Sequence, residues 1–172
     1  SFVDSFSVSS QETLPTSLAF NTDGTKMFVV GVTGDDVNEY SLSTGFDLTS
    51  TVTFVDNFSV ASQETDPSGL AFNNDGTKMF VIGASGDDVN EYTLSTGFDL
   101  TSTVTFVDNF SVASQENDPT GLAFNNDGTK MFVLGYNGVD VNEYTLSTGF
   151  DLTSTVTFVD SFSVAGQESF LQ

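Results

Sequence analysis

The chain has no cysteine, no histidine and no tryptophan, only three prolines, and its only cations are three lysines, Lys26, Lys78 and Lys130. Without cysteine there is no disulfide and no thiolate nucleophile. Without histidine the commonest general base and the usual zinc and haem ligands are gone. Serine and threonine are plentiful, but no histidine exists to activate them. On this inventory the chain is expected not to be an enzyme. Against the lysines stand 24 acidic residues, giving a net charge of −21, and such a surface repels phosphate backbones and anionic lipid alike. Nucleic acid is not an expected partner. No apolar run approaches the roughly twenty residues of a membrane-spanning helix, so no membrane span is expected. An acidic surface in which Ser, Thr, Asn and Gly replace Lys and Arg suits salt-screened surroundings. It points to an extracellular or cell-surface location.

What is present is enough to fold. Of 172 residues 38% are hydrophobic, and 18 are phenylalanine, which suffices for the packed core of a single domain. That domain is repetitive. The segment Phe54-Val55-Asp56-Asn57-Phe58-Ser59-Val60 returns at Phe106 and, in part, at Phe158, with an earlier copy at Phe2, a period of 52 residues. The copies starting at Phe54 and Phe106 differ at six positions: Thr65/Asn117, Ser68/Thr120, Ile82/Leu134, Ala84/Tyr136, Ser85/Asn137 and Asp87/Val139.

Within a copy the apolar spacing follows a strand. Gly69-Leu70-Ala71-Phe72 leads through Asn73-Asn74-Asp75-Gly76, a turn whose glycine can take positive φ, into Lys78-Met79-Phe80-Val81-Ile82. The second of these strands is apolar on both parities, as in a strand covered on both faces. Asp88 to Leu94 reads as a third, antiparallel strand, Ser95 to Leu100 as a loop, and Thr101 to Val112 as a half-buried outer strand. That last stretch would be near 40 Å long at about 3.3 Å per residue, so it is expected to bend or break at Asp108-Asn109. Each period thus yields a four-stranded antiparallel meander with no helix. Radial repetition of such sheets is a β-propeller, the expected all-β fold. A parallel β-helix is the rival; its rungs are shorter and its turns less hairpin-like. The division reads as a single repeat domain over 1–172, with a partial outer strand at 1–9, blades at 10–60, 61–112 and 113–164, and a tail at 165–172.

The string Pro-x-Gly-Leu-Ala-Phe-Asn-x-Asp-Gly-Thr-Lys-Met-Phe-Val, followed by Val-Asn-Glu-Tyr-x-Leu-Ser-Thr, resembles the blade repeats of bacterial propellers of NHL and YVTN type. The resemblance covers almost the whole chain and implies an architecture. Copy one departs from it at Ser17, which stands where the later copies have Gly69 and Gly121.

Three blades are too few. Propellers close with about four to eight, and an open arc exposes two faces lined with Phe, Val and Met, which water does not tolerate. The expectation is that the chain associates with itself, a homodimer giving six blades or a trimer giving nine. The alternative is that these residues are an excerpt of a longer array. Four outer-strand motifs accompany only three inner hairpins, so one outer strand is surplus. Phe2–Val8 is read as a staple that adds to the sheet edge of another chain.

Candidate binding residues follow from what recurs and what varies. Asp36, Asp88 and Asp140 with Glu39, Glu91 and Glu143 repeat in every blade, and hard oxygen ligands so arranged could hold Ca²⁺, although the neighbouring Asp35 and Asp87 give way to Val139. The Asp-Gly corners lack the ligand spacing of a calcium loop and read as turns. Equivalent carboxylates in every copy do not make the two unlike environments that acid–base catalysis needs. Tyr136 and Asn137 stand where the copies diverge most, and variable loops on a fixed scaffold carry specificity. They are the expected ligand-facing edge. The function these readings support is a non-enzymatic, self-associating scaffold for protein or surface binding. The alternative is a multivalent lectin with equivalent glycan sites on each blade.

Overall fold

A computed structural model describes residues 2–166, which form twelve β-strands and no helix. The first four are β1 (Pro15–Phe20), β2 (Lys26–Gly31), β3 (Asp36–Leu42) and β4 (Val52–Ser59). The next four, β5 (Pro67–Phe72), β6 (Lys78–Gly83), β7 (Asp88–Leu94) and β8 (Val104–Ser111), repeat them one period later. The last are β9 (Pro119–Phe124), β10 (Lys130–Gly135), β11 (Asp140–Leu146) and β12 (Val156–Ser163). Each quartet is one antiparallel sheet with strands in chain order, and β1, β5 and β9 lie side by side at the hub.

Local chemistry sets the turns. At each inner hairpin the Asp-Gly corner puts glycine at positive φ, +72° at Gly76, and the Asp75 carboxylate accepts from the Thr77 amide and hydroxyl. The Thr77 hydroxyl, then its amide, hold the Asp75 carboxyl below its ordinary value. A Cβ at Gly76 would overlap the ring of Phe98, which lies over the turn in left-handed backbone (φ +55°) and donates its amide to the Gly76 carbonyl at 3.0 Å. The prolines open β1, β5 and β9, where a missing N–H costs no ladder bond.

Two bulges per blade shape the sheets. In β1 and β5 the register slips at Thr16 and Ser68, and β9 slips equivalently at Thr120. In the outer strand Glu91 pairs with Asp108 but Tyr92 with Phe106, so Val107 is extra. The bend or break expected at Asp108-Asn109 is therefore a bulge one residue earlier, and the strand begins at Val104 because Thr101 and Ser102 stay in the preceding loop. Bulges of this kind bend a strand without ending its pairing.

The core lies between blades rather than within them. Phe28, Val30, Val37 and Val60 of blade one meet Leu70, Met79, Val81, Tyr92, Leu94 and Leu100 of blade two. The same positions one period on join blades two and three. Phe28 packs on Phe72 with ring centroids 4.7 Å apart, and Phe80 on Phe124 at 4.6 Å. Each buried ring contributes about 2–3 kcal/mol of transfer free energy, and no disulfide supplements it. Tyr40, Tyr92 and Tyr144 are fully buried. Tyr92 is gripped edge-on between Phe106 of its own blade and Phe58 of the preceding one.

Two outcomes follow from this packing. Gly76→Ala, which forces both a strained φ and displacement of the Phe98 ring, is expected to cost more than about 2 kcal/mol in chemical denaturation. Alkali is expected to unfold the chain through its tyrosines. Burial, then the charges of Asp140 and Glu116, push the Tyr144 hydroxyl up to about 12, and burial raises Tyr40 and Tyr92 likewise. A folded-state value above the unfolded value of about 10 gives a contribution that is complete below pH ~10 and lost as pH rises through about 12. The melting midpoint should fall over that window together with the rise of tyrosinate absorbance, and a midpoint unchanged to pH 12 would refute the assignment.

Candidate functional site

The recurrent carboxylates do not share a surface. Asp36 is buried at the start of β3, where its two oxygens accept from the side-chain amides of Asn38 and Asn57, each at 2.6 Å. Asp88 takes the same bonds from Asn90 and Asn109, and burial raises its carboxyl against their lowering pull. Asp140 keeps Asn142 at 2.8 Å, but Ser161 replaces the second asparagine and the site is more open. No group of three or more acidic side chains placed to hold a metal ion occurs among the described residues.

Glu39, Glu91 and Glu143 sit on the opposite side of the same strands and serve the joints. Glu39 is fully buried and pairs with Lys26 at 2.8 Å. Its other oxygen accepts the Leu100 amide of the next blade at 2.7 Å, while Lys26 donates to the Phe98 carbonyl there at 2.6 Å. Glu91 and Lys78 engage Leu152 and Phe150 identically. Glu143 and Lys130 pair at 2.6 Å with no blade beyond them. Two of the three lysines, Lys26 and Lys78, thus join blades, and Lys130 keeps the same pair within its own blade. Two further donors cross each joint. The bulged Thr16 and Ser68 give their hydroxyls to the carbonyls of Pro67 and Pro119. Thr22 reaches the Asn74 carbonyl, and the Asn74 side chain reaches that of Asn126. Sequence reasoning named the glutamates but missed their pairing with the lysines at the joints. The signal was the recurrence of a lone lysine every 52 residues in a chain otherwise without cations.

The divergent loop has a structural logic. The Asn137 side-chain amide donates to Asn117 at 3.0 Å, where the earlier copies place Thr33 on Thr13 and Ser85 on Thr65, each at 2.8 Å. The Thr120 hydroxyl bonds the Leu134 carbonyl, and the Tyr136 amide bonds that of Asp118. The six differences between copies two and three therefore gather at one end of blade three. Val139 takes φ +47°, a left-handed conformation that its equivalents Asp35 and Asp87 adopt with less strain. Tyr136 is 54% exposed on this rim.

The largest exposed apolar features are the two end faces. On blade three Leu134 is 43% and Phe162 70% exposed, although Val30 and Ile82, the counterparts of Leu134, are fully buried. On blade one Leu18 and Phe46 are exposed where Leu70 is buried and Phe98 half-buried. Beside Leu18 a cleft of about 610 Å³ runs between Phe6, Val8, Met27, Val29 and Leu48. Phe6 lies edge-on against Tyr40 with ring centroids 5.6 Å apart. Residues 2–8 form no strand.

These features define an open β-propeller segment of three blades. No family model matches the sequence, and no curated protein matches it. Solved structures share the fold. A functionally unknown protein from Desulfotomaculum acetoxidans superposes with a TM-score of 0.62 at 18% identity, over 88% of this chain and 43% of that one. A periplasmic gluconolactonase of Pseudomonas aeruginosa gives 0.61 at 16%, over 87% and 40%. A β-propeller domain from Myceliophteria thermophila gives 0.55 at 12%, over 87% and 43%. The chain spans about two fifths of the length of these neighbours. The reading of the chain as not an enzyme is corrected here. A protein named as a lactonase is built on the same blades, so neither the propeller architecture nor the missing histidine and cysteine is grounds for excluding catalysis. At this identity the likeness shows the fold alone. Of the aromatic rings that recur in every blade, Tyr40, Tyr92 and Tyr144 are buried, whereas Phe54, Phe106 and Phe158 are 39–40% exposed on the outer strands.

Val139→Asn, which removes a β-branched residue from left-handed backbone, is expected to stabilise the chain by about 1 kcal/mol. Differential scanning calorimetry would register it as a rise in midpoint, and a fall would refute the strain.

Proposed function

We propose that the chain is a self-associating propeller scaffold of NHL or YVTN type whose ring is completed by another copy, a homodimer of six blades. Its ligand edge is the divergent rim of Tyr136 and Asn137. The single observation that carries the reading is the pair of bare end faces. Leu134 and Phe162 at one end and Leu18 and Phe46 at the other are exposed although their equivalents between blades are buried or half-buried. Covering such faces removes apolar surface from water at about 25 cal/mol/Å². A trimer of nine blades exceeds the usual range of about four to eight. The strongly acidic surface favours an extracellular or cell-surface setting, where screening over about 8 Å moderates repulsion between copies each carrying −21. The partner for the Tyr136 rim is a protein or surface ligand.

Sedimentation velocity across a concentration and salt series tests the reading. Dimers that strengthen with salt are expected, because screening relieves like-charge repulsion while the apolar contact persists. A chain that remains monomeric at every concentration and salt would overturn it.

A further inference from the structure

Both joints inside the chain follow one pattern, and that pattern specifies what each bare end lacks. Going from one blade to the next, a bulged hydroxyl reaches a proline carbonyl, a turn side chain reaches the next turn's carbonyl, lysine reaches a phenylalanine carbonyl, and a leucine amide reaches glutamate. The second joint repeats all four. Blade three presents the outgoing half of this set at Thr120, Asn126, Lys130 and Glu143. Blade one presents the incoming half at the Pro15, Thr22 and Phe46 carbonyls and the Leu48 amide, and among the described residues that amide has no partner. Within the chain Phe58 lies on Tyr92 with centroids 5.5 Å apart and Phe110 on Tyr144 at 5.6 Å, each contributed by the preceding blade. Tyr40 has no preceding blade, and Phe6 fills that place at 5.6 Å with Val8 beside it in the cluster. At the far end the equivalent Phe162 points at no tyrosine and is 70% exposed.

We infer that a second copy joins head to tail, laying blade three of one chain on blade one of the next, and that Phe162 and Val164 of the incoming chain displace Phe6 and Val8 from Tyr40. This rests on the self-association proposed above and adds its register and its control. Residues 2–8 are then a plug on the assembly face rather than a staple to another sheet edge. Two phenylalanines compete for one tyrosine, so the plug weakens the assembly by whatever its own contact contributes. The four polar pairs fix the direction, since neither end carries a set complementary to itself, and a face-to-face dimer of like ends would leave Lys130, Glu143 and the Leu48 amide without their partners.

The experiment uses the full chain. Phe6→Ser should strengthen self-association, and Phe162→Ser, at an exposed position that burial does not hold, should weaken it, each by about tenfold or more in sedimentation velocity. Amide hydrogen exchange gives a second readout. The Leu48 amide should become protected as concentration rises through the dissociation constant, and Glu143→Gln should reduce that protection. If Phe6→Ser fails to fold, Phe162→Ser and the Leu48 amide still decide. Association with an unprotected Leu48 amide, or with an affinity indifferent to Phe162→Ser, would overturn the head-to-tail seating while leaving self-association intact. Absence of association at any concentration would overturn both.

Discussion

The structure depends on the contact between the faces of neighbouring blades. A four-stranded meander is one layer thick and buries almost nothing within itself; its two middle strands are apolar on both sides and need cover on both. Blade two has that cover, and its Phe80, Ile82, Val89, Tyr92 and Met79 are all at zero exposure. Blade three has it on one side, and on blade one's outer side Phe6 and Val8 cover only part of the face, leaving Leu18 and Phe46 exposed. Stability here resembles that of other repeat arrays, in which neighbour interfaces dominate and terminal repeats behave differently. The exposure gradient along the chain is a direct record of this: equivalent residues differ only in whether a neighbour is present.

Polar contacts give that apolar contact its angle and direction. Apolar faces alone would tolerate sliding. The buried Glu39 and Glu91 are each met by a lysine of their own blade and by a backbone amide of the next. Removing one partner would leave an uncompensated buried charge, which costs far more than the pair contributes. With only three lysines against 24 acids, each lysine is paired with the glutamate of the neighbouring strand. Several other acids sit in turns where a threonine hydroxyl and amide donate to the carboxylate, as at Asp23, Asp47 and Asp75.

Much of this was legible from residue order because the period is a short-range signal. The Asp75-Gly76 corner, the doubly apolar run after Lys78 and the Asp88–Leu94 strand all rest on local chemistry, and the strands lie where that chemistry puts them. The outer strand bends as its length led one to expect, but one residue earlier, where the extra Val107 takes up the bend without unpairing the ladder. The recurrent carboxylates part company for a different reason. Glu39 and Asp36 are three residues apart in a strand, so they project to opposite faces, one into the joint and one onto Asn38 and Asn57. Which long-range group a buried acid meets is not written in its neighbours. The argument from missing histidine failed for a broader reason: an inventory excludes particular mechanisms, and a fold that carries a protein named as a lactonase does not limit itself to those.

The near-identity of the copies and the placement of their few differences have one explanation. Residues in the joints must fit the same face twice within the chain, and Phe28, Phe80, Tyr92 and Tyr144 leave little room for change. Substitution is concentrated where one blade's loop meets only its own connector, as at the Asn117–Asn137 pair, which exchanges hydroxyl partners for amides without disturbing the backbone. Leu134 and Thr120 among the six stand at joint positions, and both changes are conservative, Leu134 replacing a side chain of the same volume and Thr120 keeping the hydroxyl of Ser68. The strained Val139 beside exposed Tyr136 is the one change that burdens the backbone. Strain retained next to a projecting aromatic, on the rim that varies most, supports the binding edge proposed above.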